Sequence, residues 1–413
     1  MNLFIFLIKI IEYKLSRDKK SSILEIKNML SDAGPIWQKF GQVLSYQEEL
    51  IGEELARELQ TFLVSCPKHS HEYSVKTIKE MFGDKYNVNN INDVTLLGSG
   101  TIAQVYRVDE IVIKILHPNV REEIKRANKK YDSIKNSFFF PKKLTMFCDF
   151  FFESLFLQID MEKEYNSGVI IKDLLNHKDN TELQKIFIFP QMIDYSRECI
   201  VMTYEDSQPI TLNYRNEIDK FVLFKTCMCV IFFQVACVQK GFIHADMHYG
   251  NFGVRNSSSY ENMKIVVYDF GFMVDVRNIS QEVRNNISLA LAFNDSLGIA
   301  SLILEKNEDY ANHMAELKKR FALKKFEKDL ERLGIYASLH SSIKLDKNII
   351  LILASCEKCK AFHNIALELV NTPNMGAINT MPLRAKDKIE MMEIFTTYLA
   401  HNEFISLKEL VCT

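Results

Sequence analysis

Glycine and proline are scarce in this chain, 14 and 8 of 413 residues; they nowhere gather into a low-complexity linker, and no segment repeats. The shortage accompanies plentiful Asn, Lys, Ile and Phe, a balance that a nucleotide bias in the source would produce. An excess of one charge is also missing. The 51 basic and 53 acidic residues are closely mixed for a formal charge of -2, so nothing marks a nucleic-acid surface or an acidic tail, and nucleic acid is not an expected partner. The nine cysteines are scattered and odd in number. Several stand in apolar helical stretches such as "KTCMCVIFFQVACVQ", which suits a reducing, intracellular compartment, and no disulfides are expected.

Long apolar runs are lacking too. The N-terminus "MNLFIFLIKIIEYKLS" is apolar for about ten residues, too short to cross a bilayer, and it has neither a charged leader region nor a small-residue cleavage site. As a one-sided helix it either packs on the domain or lies on a membrane surface, the route to a peripheral membrane contact. No other window approaches about eighteen uncharged apolar residues, so a soluble or at most peripheral protein is expected. What remains is an ordinary globular composition, 47% hydrophobic and 25% charged, with length enough for two or three packed units.

From Ser21 to Leu63 apolar residues recur at helical spacing, interrupted at "DAGP" and near Gly52, which predicts two or three short helices. "NDVTLLGSGTIAQVYRVDEIVIKIL" then switches to short β-branched runs parted by a Gly/Ser turn and an Asp-Glu turn, the pattern of consecutive antiparallel strands. Helical periodicity returns over 120–167, two further strands flank "DYSRE", and a hairpin of "NFGVR" and "MKIVVYD" lies within an otherwise helical remainder. The fold class is α+β in two lobes, with an N-terminal helical extension over 1–90, a small-sheet lobe over 91–205 and a helical lobe over 206–413.

Within "IVIKIL" alternate residues share a face, so Lys114 lies on the side of Val112 and Leu116 in an otherwise apolar segment. A lone strand lysine is ordinarily an edge residue reaching water; a buried one must be paired. Gly98, Ser99, Gly100 and Thr101 stand in the preceding hairpin, where exposed amides could cover phosphates and an ammonium on the next strand could reach them. The partner is sought on the helix "FFESLFLQIDMEKEY", with Phe152, Leu155, Phe156 and Ile159 as its core stripe. Asp160 and Glu164 sit one turn apart there and repel by roughly 0.2–0.5 kcal/mol if exposed, so either water solvates them or a cation sits between them; Glu164 is the better-placed partner for Lys114.

"HADMHYGN" and "YDFGF" supply what phosphoryl transfer needs from a protein that mainly positions a nucleotide and a metal. Asp246 could act as base, Asn251 could bind metal through its side-chain carbonyl, and Asp269 could bind Mg²⁺ bridging the phosphates. A polar loop joining helix to strand is the plainer reading of the same residues. A zinc site from His244, Asp246 and His248 lacks a fourth ligand, and Cys356, Cys359 and His363 in "CEKCKAFH" read as packed helix residues before a zinc set. The basic amphipathic stretch "ELKKRFALKKFEKDLERL" reads as a solvated face.

Taken in order, these motifs resemble the UbiB/ADCK family of atypical kinases within the protein-kinase-like superfamily, from about Ser21 to Asp275. "KFGQ", Lys39 to Gln42, is similar to that family's KxGQ signature in an extension that ordinary kinases lack; "GSGTIAQVYRV", "VIKILHPNV" and "HADMHYGN" are similar to its nucleotide loop, lysine strand and catalytic loop. The resemblance implies a bilobal protein-kinase-like fold binding ATP and Mg²⁺. It implies that Lys114 pairs with Glu164 and the phosphates, that Asp246 is the acid-base position and that Asn251 and Asp269 hold magnesium. Lys39 and Gln42 would reach the site from the extension, received by an E-x-D motif.

Three departures stand out: "GSGT" replaces an alanine-rich loop, "QID" leaves Asp160 as the one carboxylate of E-x-D, and Tyr249 replaces a proline. After "DFGF" an apparent helix with Ser280 as its cap candidate begins too soon for a long activation segment, and no A-P-E follows. The expected function is an atypical kinase or ATPase acting on an unassigned small-molecule, lipid or protein acceptor, linked by resemblance to quinone or lipid metabolism. An aminoglycoside- or choline-kinase-like enzyme and a nucleotide-binding scaffold without turnover are the alternatives.

Overall fold

The structure, a computed structural model, describes residues 3–45, 51–59, 68–137, 142–175, 181–210, 217–256, 262–292 and 309–321, with 359, 362, 365 and 366. It divides into two compact units, Met1–Asn166 with Gln191–Tyr204, and Ser167–Pro190 with Glu205–Thr413. In chain order the strands are β1 Thr95–Ser99, β2 Ala103–Val108, β3 Ile111–Leu116, β4 Phe187–Ile188, β5 Met192–Tyr195 and β6 Cys199–Thr203; then β7 Gln208–Pro209, β8 Phe242–His244, β9 Phe252–Arg255, β10 Lys264–Val267 and β11 Met273–Asp275.

The first unit opens with helices Leu3–Leu15, Lys19–Asp32, Pro35–Leu44 and Glu53–Leu59. The break at "DAGP" has a local cause: Gly34 takes φ 98, and Pro35, with no N–H to lose and φ already helical, starts the next helix. These helices bury Ile26, Leu30, Phe40, Leu44 and Leu55, and the Phe40 ring meets Phe6 edge-on at 5.7 Å and Phe151 at 5.1 Å. The N-terminal helix is thus packed through Phe6 and Tyr13, while Ile5, Ile8, Ile11 and Leu15 face outward.

The five-stranded sheet runs β1-β2-β3-β6-β5, all pairs antiparallel. Alternation puts Tyr106, Val108, Ile113, Ile115, Cys199 and Val201 on one face, against Val75 and Ile78 of the helix His71–Phe82. Lys114 points to the other face, across from Val105 and Ile200. Because β3 lies between β2 and β6, Lys114 is an interior-strand residue and the edge reading does not hold.

Two expectations change in this unit. The stretch read as one helix is two, Lys142–Gln158 and Met161–Leu175, and the buried stripe is Phe151, Phe152, Leu155 and Ile159, with Phe156 36% exposed. The chain breaks where Asp160 Oδ1 accepts the Lys163 amide at 3.0 Å and so caps the second helix. The turn expected over "DYSRE" is shorter, because Asp194 and Tyr195 still belong to β5.

The second unit holds the sheet β4-β10-β9-β7, in which β10 pairs β9 antiparallel and β4 parallel, and the separate pair β11-β8. Among the described residues one helix, Glu217–Gln239, is long and apolar enough to cross a membrane in its window Val222–Gln239, contrary to the expectation that no such window exists. Packing explains its composition: 83% of that window is buried within the fold, so it needs no polar face. Phe233 on this helix meets Phe187 at 5.7 Å and Phe252 at 6.0 Å.

Cys148, Cys199, Cys227, Cys229, Cys237 and Cys359 are free and buried. Burial pushes the thiols of Cys199, Cys227 and Cys229 up to about 12. Cys356 and His363, and most of the basic stretch after Phe321, lie outside the described residues.

Candidate functional site

In the first unit β1 ends at Ser99 and the chain turns back into β2, closed by the Gly100 amide donating to the Ala103 carbonyl at 2.8 Å. A Cβ placed on Gly98 would meet nothing within 4 Å, so its missing side chain answers to no packing demand and leaves the backbone bare. Gly98 and Gly100 are exposed and Ser99 is half-buried. Thr101 differs: it is buried, and its hydroxyl donates to Gln42 Oε1 at 3.5 Å. A glutamine of the helical extension therefore touches the glycine turn.

Lys114 Nζ lies 2.8 Å from both Glu164 oxygens, and the two side chains are 14% and 0% exposed. Glu164 stands in the first turn of Met161–Leu175, where the helix dipole favours a carboxylate, and its amide donates to the Asp160 carbonyl at 3.0 Å. Asp160 and Glu164 are thus not a repelling pair on one helix face: one caps the helix and the other is neutralised by Lys114. The Lys39-to-Asp160 contact implied by resemblance is not made. Asp160 is exposed and serves the cap, and Lys39 is half-buried with no ion pair among the described residues.

In the second unit the loop after β8 is fixed by His244, fully buried. Its backbone amide donates to Gln234 Oε1 at 3.2 Å, its Nδ1 accepts the Asp246 amide at 3.2 Å, and its Nε2 donates to the Asp269 carbonyl at 3.0 Å. One neutral imidazole thereby ties the acid-bearing loop to the Asp-Phe-Gly turn, and with both nitrogens engaged it offers nothing to a metal. Asn251 Nδ2 donates to the Asp246 carbonyl at 2.7 Å, which turns the amide oxygen to the opposite side. The Tyr268 amide donates to the Asn251 carbonyl at 3.0 Å, and Asp269 Oδ1 accepts the Gly271 amide at 2.7 Å. His248 Nε2 lies 3.6 Å from Asp246 Oδ2.

The Asn251 amide oxygen and the Asp269 carboxylate are hard oxygen donors, the type magnesium takes. Among the described residues no group of three or more His, Cys, Asp or Glu could form a protein cage for a metal, and magnesium characteristically needs none, binding through one or two protein oxygens with phosphates and water. The residues present fit that ion. Sequence reasoning quoted His244 only as a zinc ligand; its position two residues before an acid that must be held still was the available signal.

A small antiparallel sheet with a buried lysine–glutamate pair, and a helical unit whose acidic loop is bonded to an Asp-Phe-Gly turn, define a protein-kinase-like α+β fold carrying an N-terminal helical extension. The ABC1 atypical kinase-like domain matches residues 64–303, and the chain belongs to that family, the UbiB/ADCK group. It is similar to the "Probable serine/threonine-protein kinase abkC" of Dictyostelium discoideum, 30% identical over 57% of this chain and 35% of that protein. It is also similar to the "Probable protein kinase UbiB" of Glaesserella parasuis, 26% identical over 60% and 48%, and to that of Pseudomonas fluorescens, 37% identical over 22% and 18%. The chain spans less than half the length of these relatives.

Proposed function

We propose that this protein is an atypical kinase or ATPase that uses ATP and Mg²⁺. The observation that carries the reading is the buried Lys114–Glu164 pair, whose lysine stands on β3, the second strand after the bare glycine turn. A largely buried ammonium held in place by the Glu164 carboxylate is suited to meet further negative charge, and phosphate oxygens lying against the exposed glycine turn are that charge. In the second unit Asp246 takes or orients the proton of the attacking hydroxyl or water, with His244 and Asn251 fixing its backbone. Asn251 and Asp269 would hold magnesium, which when bound neutralises charge on the phosphates.

The helix Gln281–Ala292 begins soon after the Asp-Phe-Gly turn, with the Val283 amide 3.4 Å from Ser280 Oγ. A short connection of this kind offers no long peptide platform, which favours a small-molecule or lipid acceptor, or water, and suits the quinone or lipid metabolism associated with the family. The test is thermal stabilisation by ATP. A shift that needs magnesium and is lost in Lys114→Ala supports the reading, as does ATP hydrolysis lost in Asp246→Asn; equal hydrolysis by wild type and Asp246→Asn would remove Asp246 from its role.

A further inference from the structure

The glycine turn has little side chain with which to hold its own shape, and the residue after β3 grips it twice. The His117 amide donates to the Ile102 carbonyl at 2.8 Å, and His117 Nε2 lies 2.9 Å from the Gly100 carbonyl. A carbonyl only accepts, so Nε2 carries the hydrogen and Nδ1 of the neutral ring is a lone pair. His117 Nδ1 is 2.7 Å from His69 Nδ1, so His69 is the donor there, and His69 Nε2 must accept from Ser74 Oγ at 2.8 Å. A single polarity satisfies the whole chain: Ser74 to His69, His69 to His117, His117 to Gly100.

His69 is itself pinned, because its backbone amide donates to Gln104 Oε1, and Gln104 Nε2 donates to Tyr106 at 2.7 Å. Both rings stay neutral: burial first, then the neighbouring His117 and His71, bring His69 down to about 4, and burial lowers His117. An added proton on His117 would set two N–H groups against each other across the contact.

We propose that His117, aligned by His69, is a positioning residue that sets the shape of the Gly98–Thr101 turn for phosphate binding, and that it links this turn to the segment entering the helix His71–Phe82. The link to phosphate rests on the nucleotide reading above; the shaping of the turn does not. The experiment compares wild type with His117→Leu, which removes donor and acceptor, and His117→Gln, whose amide can still reach the Gly100 carbonyl. Hydrogen exchange is followed without ligand, and KM for ATP with magnesium is measured separately.

In His117→Leu, amides of residues 98–104 lose protection while those of β5 and β6 keep it, and KM rises about tenfold, the worth of one hydrogen bond, with kcat within about twofold. His117→Gln restores most of both. Unchanged exchange over 98–104 in His117→Leu, or equal loss across the sheet that His117→Gln does not rescue, overturns the proposal. If wild type shows no magnesium-dependent response to ATP, the nucleotide reading falls, and the exchange comparison still decides whether the relay shapes the turn.

Discussion

At the scale of single residues, Glu164 is wholly buried and both its oxygens sit 2.8 Å from one ammonium. Removing the ammonium alone takes from a wholly buried carboxylate the cation it is paired with. Lys114→Met should therefore cost roughly 3–5 kcal/mol, and Lys114→Met with Glu164→Leu should recover much of it, since a buried pair exchanged for apolar groups is often near neutral. Urea denaturation of the two variants checks this; equal losses would show that the pair is not the source of the cost. His69 gives the second prediction at this scale. Its ring titrates near 4 when folded against an ordinary 6.5, so between those values the unfolded chain holds a proton that the folded one refuses. Stability then rises with pH through that window, by on the order of 3 kcal/mol over its full span. A urea midpoint that falls from about pH 7 to 5 in wild type, and falls less in His69→Asn, is the expected outcome.

At the scale of elements, the β9–β10 hairpin carries its own constraint. A Cβ on Gly253 would come within 1.8 Å of the Tyr268 hydroxyl, 2.6 Å of its ring carbon and 3.0 Å of Ser207 Oγ. Tyr268 precedes Asp269, so Gly253→Ala should displace the immediate neighbour of the residue that presents the carboxylate, at a stability cost of roughly 1–3 kcal/mol. Thermal melts read the cost, and loss of the magnesium-dependent ATP response reads the displacement; an unaltered melt would mean that Tyr268 moves aside freely. The β2–β3 hairpin was legible in the sequence because each strand is six residues long and the turn residue Asp109 tolerates φ 49. By contrast β4 and β7 are two residues and β8 and β11 three, too short to display a period of two. The break at Asp160 was hidden because apolar residues continue on both sides of it. The His69–His117 bond joins residues 48 apart, and no local pattern announces such a contact.

At the scale of the whole molecule, each unit has its own apolar core. Tyr106, Ile113 and Val201 stand in the first, and Phe187, Phe233 and Phe252 in the second. The described cysteines are divided between them as well: Cys148 and Cys199 in the first, Cys227, Cys229, Cys237 and Cys359 in the second, all enclosed. A thiol that is hard to ionise and shut away from solvent is not alkylated until its surroundings come apart. The chain consequently carries a clock in each half. Brief pulses of iodoacetamide during a urea ramp, read peptide by peptide, would tell which half opens first, with no dye or tag attached.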